Sequence, residues 1–250
     1  MKTSNKILLG AFILILISAT VMMIIVKANL NGETGSMVSG NKHAITQTRD
    51  VQNFQNIEAK GGIKLKLTQG ATTAVKVEAD DNLIDMISTE VRNNKLYISL
   101  DRNIRHYEAL NVYVTFDTLY NLTLQAGVQA TNTDTLKFGD LDFDVSSGAG
   151  AEMNLLAEDL NLNVSSGSRV TLSGKTNQFR VDNSSGAIVN ASRLEAVYCR
   201  ASSSSGANTR IWVTKECSID ASSGGRIKYA GSPQIKDMDI SSGGSVSHKD

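Results

Sequence analysis

Carboxylates, amides and arginines recur in this sequence at a fixed spacing. Asp144, Asn163, Asp182, Ser202, Asp220 and Asp239 each stand four residues before a glycine. Asp142, Asn161, Arg180, Arg200, Ser218 and Asp237 stand six before the same glycines. Flat polar rows of this kind could hold the hydroxyls and charges of a sugar chain. If two carboxylates converged in a groove, they could instead cleave a glycosidic bond. The plainer reading is a soluble outward face, in which Asn and Ser between the acids relieve like-charge stacking. The candidate ligand-facing stripe is therefore Asp144, Asn163, Asp182, Ser202, Asp220 and Asp239, with Arg180 and Arg200 beside it. The one catalytic sketch available is Asp182 with Arg180 or Arg200.

Other chemistry has little support. The three histidines, His43, His106 and His248, have no metal-ligand spacing to another His, Cys or carboxylate, so no metal site is expected. Neither a G-x-S-x-G elbow nor a G-x-x-x-x-G-K-[ST] phosphate loop occurs. The G-x-G at 148–150 lacks the later glycine of a dinucleotide site. No catalytic residue and no cofactor are expected. Lys and Arg total 25 and Asp and Glu total 25, and this balance argues against nucleic acid, which calls for a basic patch or stripe. Cys199 and Cys217, 18 residues apart, are the only cysteines. They read either as a disulfide between neighbouring repeats or as two small buried apolar side chains.

The glycines that anchor these rows close one phrase written six times: LDFDVSSG (141–148), LNLNVSSG (160–167), FRVDNSSG (179–186), CRASSSSG (199–206), CSIDASSG (217–224) and KDMDISSG (236–243). The glycines are 19, 19, 20, 18 and 19 residues apart, and a weaker copy, YNLTLQAG, ends at Gly127. Self-similarity at a fixed short period is the mark of a solenoid. Positions seven, five and three before each glycine are mostly apolar and the intervening ones polar, so each phrase is a strand with one buried face. Lys236 is the exception in the first of those columns. The alternation restarts after the glycine, as in Val170 and Leu172. A period of 19 is too short for a strand plus a helix and two loops. One coil is therefore strand, Ser-Ser-Gly corner, strand and short polar return, and the stacked coils form a parallel β-helix, an all-β solenoid. The glycine should take φ > 0 at the corner, and the paired serines should stack into ladders there.

These phrases resemble the auto-transporter adhesin head domain family, also called the head GIN domain, found mainly in Bacteroidota. Its members are similar in their tandem [LIV]-x-[LIV]-x-[VS]-S-G-[SA]-G phrases. They are similar too in an opening segment like IEAKGGIKLKLTQG (57–70) followed by VKVEADDNLIDMISTEVRNNKLYISL (75–100). The resemblance runs from about Val51 to the end, with SSG here where relatives often have SGSG. It implies a right-handed single-stranded β-helix on the outer side of a bacterial membrane, with an adhesin-like role and no catalytic residues.

The remaining segments frame the coils. Lys2 and Lys6 precede an uncharged run, Ile7 to Val26, of 20 residues, the length of a membrane-crossing helix. Residues 1–27 therefore read as a signal-anchor or transmembrane helix with a cytoplasmic N-terminus, the competing reading being a cleaved secretory signal. Residues 28–50 are polar and aperiodic and read as a flexible tether. Residues 51–117 hold strands at 57–69, 73–79, 87–92, 95–100 and 110–116, a helical turn after Asp80-Asp81-Asn82, a hairpin at Asn93-Asn94 and a loop at 103–109. This β-rich segment should supply the opening coils and cap their bare edge; residues 118–250 are the β-helix repeats. The expected function is a non-enzymatic, membrane-tethered envelope β-helix in the periplasm or outside the cell. It would bind glycan or protein partners or serve structurally; the alternative is a polysaccharide-active β-helix enzyme.

Overall fold

A computed structural model of the chain describes residues 20–22, 37–100 and 102–249. The chain divides into two compact units, Met1–Val38 and Ser39–Asp250. In the first, residues 20–22 are helical. The rest of the expected membrane-crossing run 7–26 lies outside the described residues, as do residues 28–36 of the expected tether. Among the described residues, no helix is long and apolar enough to cross a membrane.

The second unit is a stack of coils built on one 17-stranded sheet. The repeats pair in parallel and in register. Leu141 lies opposite Leu160, Leu160 opposite Phe179, Phe179 opposite Cys199, and Cys199 opposite Cys217. The predicted inward columns form a continuous core in which Leu122, Phe143, Leu162, Val181 and Ile219 are all buried. Such burial is worth roughly 1.5–3 kcal/mol per large side chain, and each coil receives it only from its neighbours.

The expected polar return is a further strand. Gly150–Val164 runs 15 residues without a break, and Arg169–Asn183 does the same. Leu136 pairs with Leu155, Leu155 with Gly174 and Gly174 with Leu194. A third ladder thus closes the middle coils, where Leu136, Leu155, Leu194 and Val213 are buried. Gly174 sits in that ladder at φ +116°, where a Cβ would lie 1.9 Å from the Leu155 carbonyl oxygen.

Each Ser-Ser-Gly corner is a two-residue turn with both central residues left-handed. Ser147 has φ +55° and Gly148 φ +73°, and Ser185 and Gly186 have +53° and +70°. The first serine's carbonyl accepts from the residue after the glycine, as in Ala149 N–H to Ser146 O at 3.2 Å. This is the type I′ pattern. The glycine amide of one coil then donates to the second serine's carbonyl in the next: Gly148 to Ser166 at 3.1 Å, Gly167 to Ser185 at 3.1 Å, Gly186 to Ser205 at 3.0 Å. The expected serine ladder is thus a ladder of backbone groups, and the left-handed serine was not anticipated. The weaker copy makes the same turn with Ala126 and Gly127.

The opening segment departs from chain order. Asn56–Lys60 pairs on one side with Lys95–Leu100 and on the other with Asn121–Gln125, all parallel. Lys64–Gln69 likewise lies between Leu110–Phe116 and Gln129–Asn132. The coil made of residues 95–116 therefore stacks outside the coil made of residues 56–69. The predicted strand 57–69 is broken by Gly61, at φ +91°. The hairpin at Asn93-Asn94 is present, with φ +50° and +62°, joining the antiparallel strands Ile87–Arg92 and Lys95–Leu100. The helical turn is the 3-10 segment Ile84–Met86, and the loop at 103–109 holds the two-residue strand Ile104–Arg105.

Within the stretch read as a tether, Ala44–Arg49 is a strand, antiparallel to Ala74–Asp80. Ala74–Asp80 is in turn antiparallel to Leu110–Phe116. Its mostly exposed side chains hid this strand from periodicity; it is held by the edge it covers. Lys236 does not stand in the inward column. A register shift after Cys217 puts Ile235 opposite Cys217, leaving Lys236 as the extra residue. It is exposed and pairs with Glu216 at 3.2 Å, so the inward column is apolar after all.

Candidate functional site

The parallel register turns both sequence rows into straight columns on the outer face. Asp144, Asn163, Asp182, Ser202, Asp220 and Asp239 lie opposite one another in succession. The companion column runs Asp142, Asn161, Arg180, Arg200, Ser218, Asp237. Neighbours along a column are about 4.8 Å apart. Two amides donate to the acids beside them: Asn161 Nδ2 to Asp142 Oδ1 and Asn163 Nδ2 to Asp144 Oδ1, both at 2.9 Å. Asp220 faces Asp239 with no amide between. Asn163, Asp182 and Ser202 also line a shallow depression of about 270 Å³.

A second feature lies beside the arginine end of the companion column. A cleft of about 310 Å³ is walled by Asp159, Arg180, Tyr198, Arg200, Glu216 and Lys236, among others. Arg180 and Arg200 are opposite each other on adjacent coils. Arg180 Nη1 donates to Asn161 Oδ1 at 3.3 Å. Glu216 is taken by Lys236, and Asp159 Oδ1 is buried without a hydrogen-bond partner. Asp159, Gln178, Tyr198 and Glu216 form one column, eight residues before their glycines. That column is readable in the sequence once the glycines are aligned, but its mixed types gave no reason to single it out.

The stripe and the cleft are not one site. Of the eight stripe residues only Arg180 and Arg200 reach the cleft; Asp182, the centre of the catalytic sketch, does not line it. Its two carboxylates, Asp159 and Glu216, are three coils apart, roughly 14 Å at the inter-strand spacing. Glycosidase pairs are about 5–9.5 Å apart.

Cys199 and Cys217 are free, buried and in register behind the cleft. The Cys199 thiol is held well above its ordinary range by its hydrogen bond to Cys217 and then by burial. Among the described residues no group of three or more His, Cys, Asp or Glu could hold a metal. Two of the histidines have structural partners: His43 Nδ1 lies 3.8 Å from Asp81, and His248 contacts the Gly231 carbonyl at 2.7 Å and sits tilted against the Tyr229 ring, 4.8 Å between centroids.

Residues 53–233 match the family described as "putative auto-transporter adhesin, head GIN domain". The chain belongs to this family. The head GIN domain as matched takes in the antiparallel strands Ala74–Asp80 and Leu110–Phe116 and most of the repeats; the capping strand Ala44–Arg49 precedes the match, and residues 234–249 add one coil beyond it. Solved structures share this fold. A crystal structure described as a putative adhesin from Bacteroides fragilis has a TM-score of 0.76 at 22% identity, covering 85% of this chain and 100% of that one. A putative adhesin from Parabacteroides merdae has a TM-score of 0.67 at 16% identity, over 86% and 99%. A structure described as a putative lipid binding protein, from Parabacteroides distasonis, has a TM-score of 0.61 at 17% identity, over 86% and 100%. Among curated proteins none matches the chain. At these identities the neighbours establish the head GIN fold and assign no residue a role.

Proposed function

We propose that this head GIN domain is a non-enzymatic binding module of the cell envelope, presented outside the cytoplasmic membrane. Residues 1–27 act as its signal-anchor, residues from 28 to the first capping strand as its tether, 51–117 as its cap and opening coils, and 118–250 as its binding rod. Its coils wind right-handed, as the family resemblance implies. The partner is a glycan or an envelope protein, held on the outward polar face. The observation that carries this reading is that face itself. Straight columns of Asp, Asn, Ser and Arg, exposed or half-buried, run over six coils, while the two cleft carboxylates are too far apart to act as a pair. The adhesin descriptions of the family and of two structural neighbours point the same way.

Two experiments test it. The full chain should fractionate with membranes and resist high-salt extraction, as an uncharged run of 20 residues would require. A mature N-terminus near residue 20 would overturn the anchor. On an array of neutral and acidic glycans and envelope proteins, the chain should retain a partner without altering it. Turnover of a polysaccharide, abolished by Asp182→Ala, would overturn the non-enzymatic reading in favour of the β-helix enzyme.

A further inference from the structure

The cleft beside Arg180 and Arg200 has an uncompensated positive charge that the fold does not require. In register on adjacent strands, two like charges destabilise the sheet. Elsewhere on the same face amides stand beside Asp142 and Asp144, and Asp220 with Asp239 is the other like-charge pair in register. Among the described residues no carboxylate comes within ion-pair distance of Arg180 or Arg200, and the hydrogen bond made there is that of Arg180 to the Asn161 amide oxygen. The cleft holds three cations, Arg180, Arg200 and Lys236, against two carboxylates, Asp159 and Glu216, so one positive charge is left over. A polyphosphate would call for more. A single carboxylate or sulfate suits it, taken by the guanidinium forks.

The other walls select what carries that anion. Tyr198 borders the cleft and is 38% exposed; the Lys215 ammonium lies 5.8 Å from its ring centroid, so a sugar would take the ring area that Lys215 leaves open. Gln178 and Ser218 add neutral polar side chains to the lining. At about 310 Å³ the cleft is at the low end for small-ligand sites, about 300–1,000 Å³. It fits the end or a short stretch of a chain, not a folded domain.

We propose that this cleft is an anionic-sugar site, in which Arg180 and Arg200 hold the carboxylate or sulfate of an acidic glycan residue and Tyr198 stacks on its ring. This rests on the binding-module reading and names the ligand class of that module. The test is calorimetric titration of the full chain with four probes. These are galacturonic-acid oligomers, the same oligomers with their carboxylates methyl-esterified, a sulfated galactose oligomer, and polyglutamate as a carboxylate without a sugar.

The acidic oligomers should bind, carboxylate or sulfate telling which anion is preferred, and affinity should fall as salt rises. Esterification should abolish binding. Arg180→Gln with Arg200→Gln should weaken it on the order of tenfold or more, while Arg210→Gln, an arginine outside the cleft, should leave it unchanged. Tyr198→Ala should weaken the sugar probes selectively. Without ligand the double variant should melt above the parent, since it removes the arginine repulsion; this separates lost binding from lost fold. Equal binding of esterified and free oligomers, full binding by the double variant, or equally tight binding of polyglutamate would overturn the proposal. Failure of every acidic probe, with the chain still retaining a neutral glycan or a protein on the array, would remove this site and leave the binding module standing.

Discussion

At Ser185 and Gly186 two successive residues hold φ of +53° and +70°. Nothing lies within 4 Å of where a Cβ on Gly186 would stand, so substitution there meets backbone strain alone. Gly186→Val should destabilise the coils by about 1–3 kcal/mol, the cost of a left-handed β-branched residue. Urea unfolding checks it; an unchanged midpoint would show that the turn can flip to another type. Gly225 makes the opposite case. It follows its turn glycine where four other copies have Ala149, Ser168, Ala187 and Ala207, so repeat alignment makes Gly225→Ala harmless. A Cβ at Gly225 would lie 2.0 Å from the Ser203 carbonyl oxygen. Gly225→Ala should therefore cost about 1–3 kcal/mol through overpacking, and Gly139→Ala, with nothing within 4 Å, should cost less. The turn glycines were readable from the repeat because only glycine moves freely to φ > 0. The left-handed serine before each was not, since its conformation is imposed by the hydrogen bonds between corners.

At the scale of the strand, the period-two columns decide which face a residue takes. Leu162 is 1% exposed between Phe143 and Val181. Leu162→Asp would leave a carboxylate there without a partner, a penalty of several kcal/mol, and the domain should not fold at ambient temperature. Asn163, one residue on, faces outward, but its amide donates to Asp144 and its other neighbour in the column is Asp182. Asn163→Asp would line up three acids. It should cost on the order of 0.2–1 kcal/mol per like-charge contact, recovered in high salt. Calorimetric melting of both variants separates the two faces; equal melting temperatures would refute the column assignment. Alternation identified the strands of the repeats because it records one buried face. It missed Ala44–Arg49, whose side chains are mostly exposed and whose partner is a distant strand edge. It also misplaced Lys236, because a bulge shifts the count by one without marking the sequence. The ligand-facing columns were readable for the same reason as the core. The cleft was not, because its walls come from a column of mixed residue types that only the stacking brings side by side.

At the scale of the whole second unit, the stack has to close its first coil, and Asp80 ties that closure together. The residue is fully buried at the end of Ala74–Asp80. Its Oδ2 accepts from the Lys42 amide at 2.7 Å, and its Oδ1 from the Glu108 and Ala109 amides at 3.0 and 3.1 Å. One carboxylate thus joins the entry to the outermost capping strand with the loop that leads into Leu110–Phe116. Burial pushes its pKa up, but the amides of Ala109, Lys42 and Glu108 together outweigh it, and the net shift is downward. The sign follows. A carboxyl with a folded pKa below its unfolded value, about 3.9, stabilises the fold fully above that value and loses the contribution as pH falls through the folded pKa. Asp80→Asn keeps the shape but gives up the charge and one acceptor. It should destabilise the domain at neutral pH by roughly 1.5–3 kcal/mol, the worth of hydrogen bonds to a charged group. Glu78 and Glu90 are also shifted down, so both proteins should weaken in acid, and the informative quantity is their difference. Melting temperatures of the full chain measured between pH 7 and pH 2 should differ by a constant amount above about pH 5. Below pH 4 they should converge. A gap that persists undiminished to pH 2 would mean that Asp80 contributes by shape alone, and that its charge does not hold the cap.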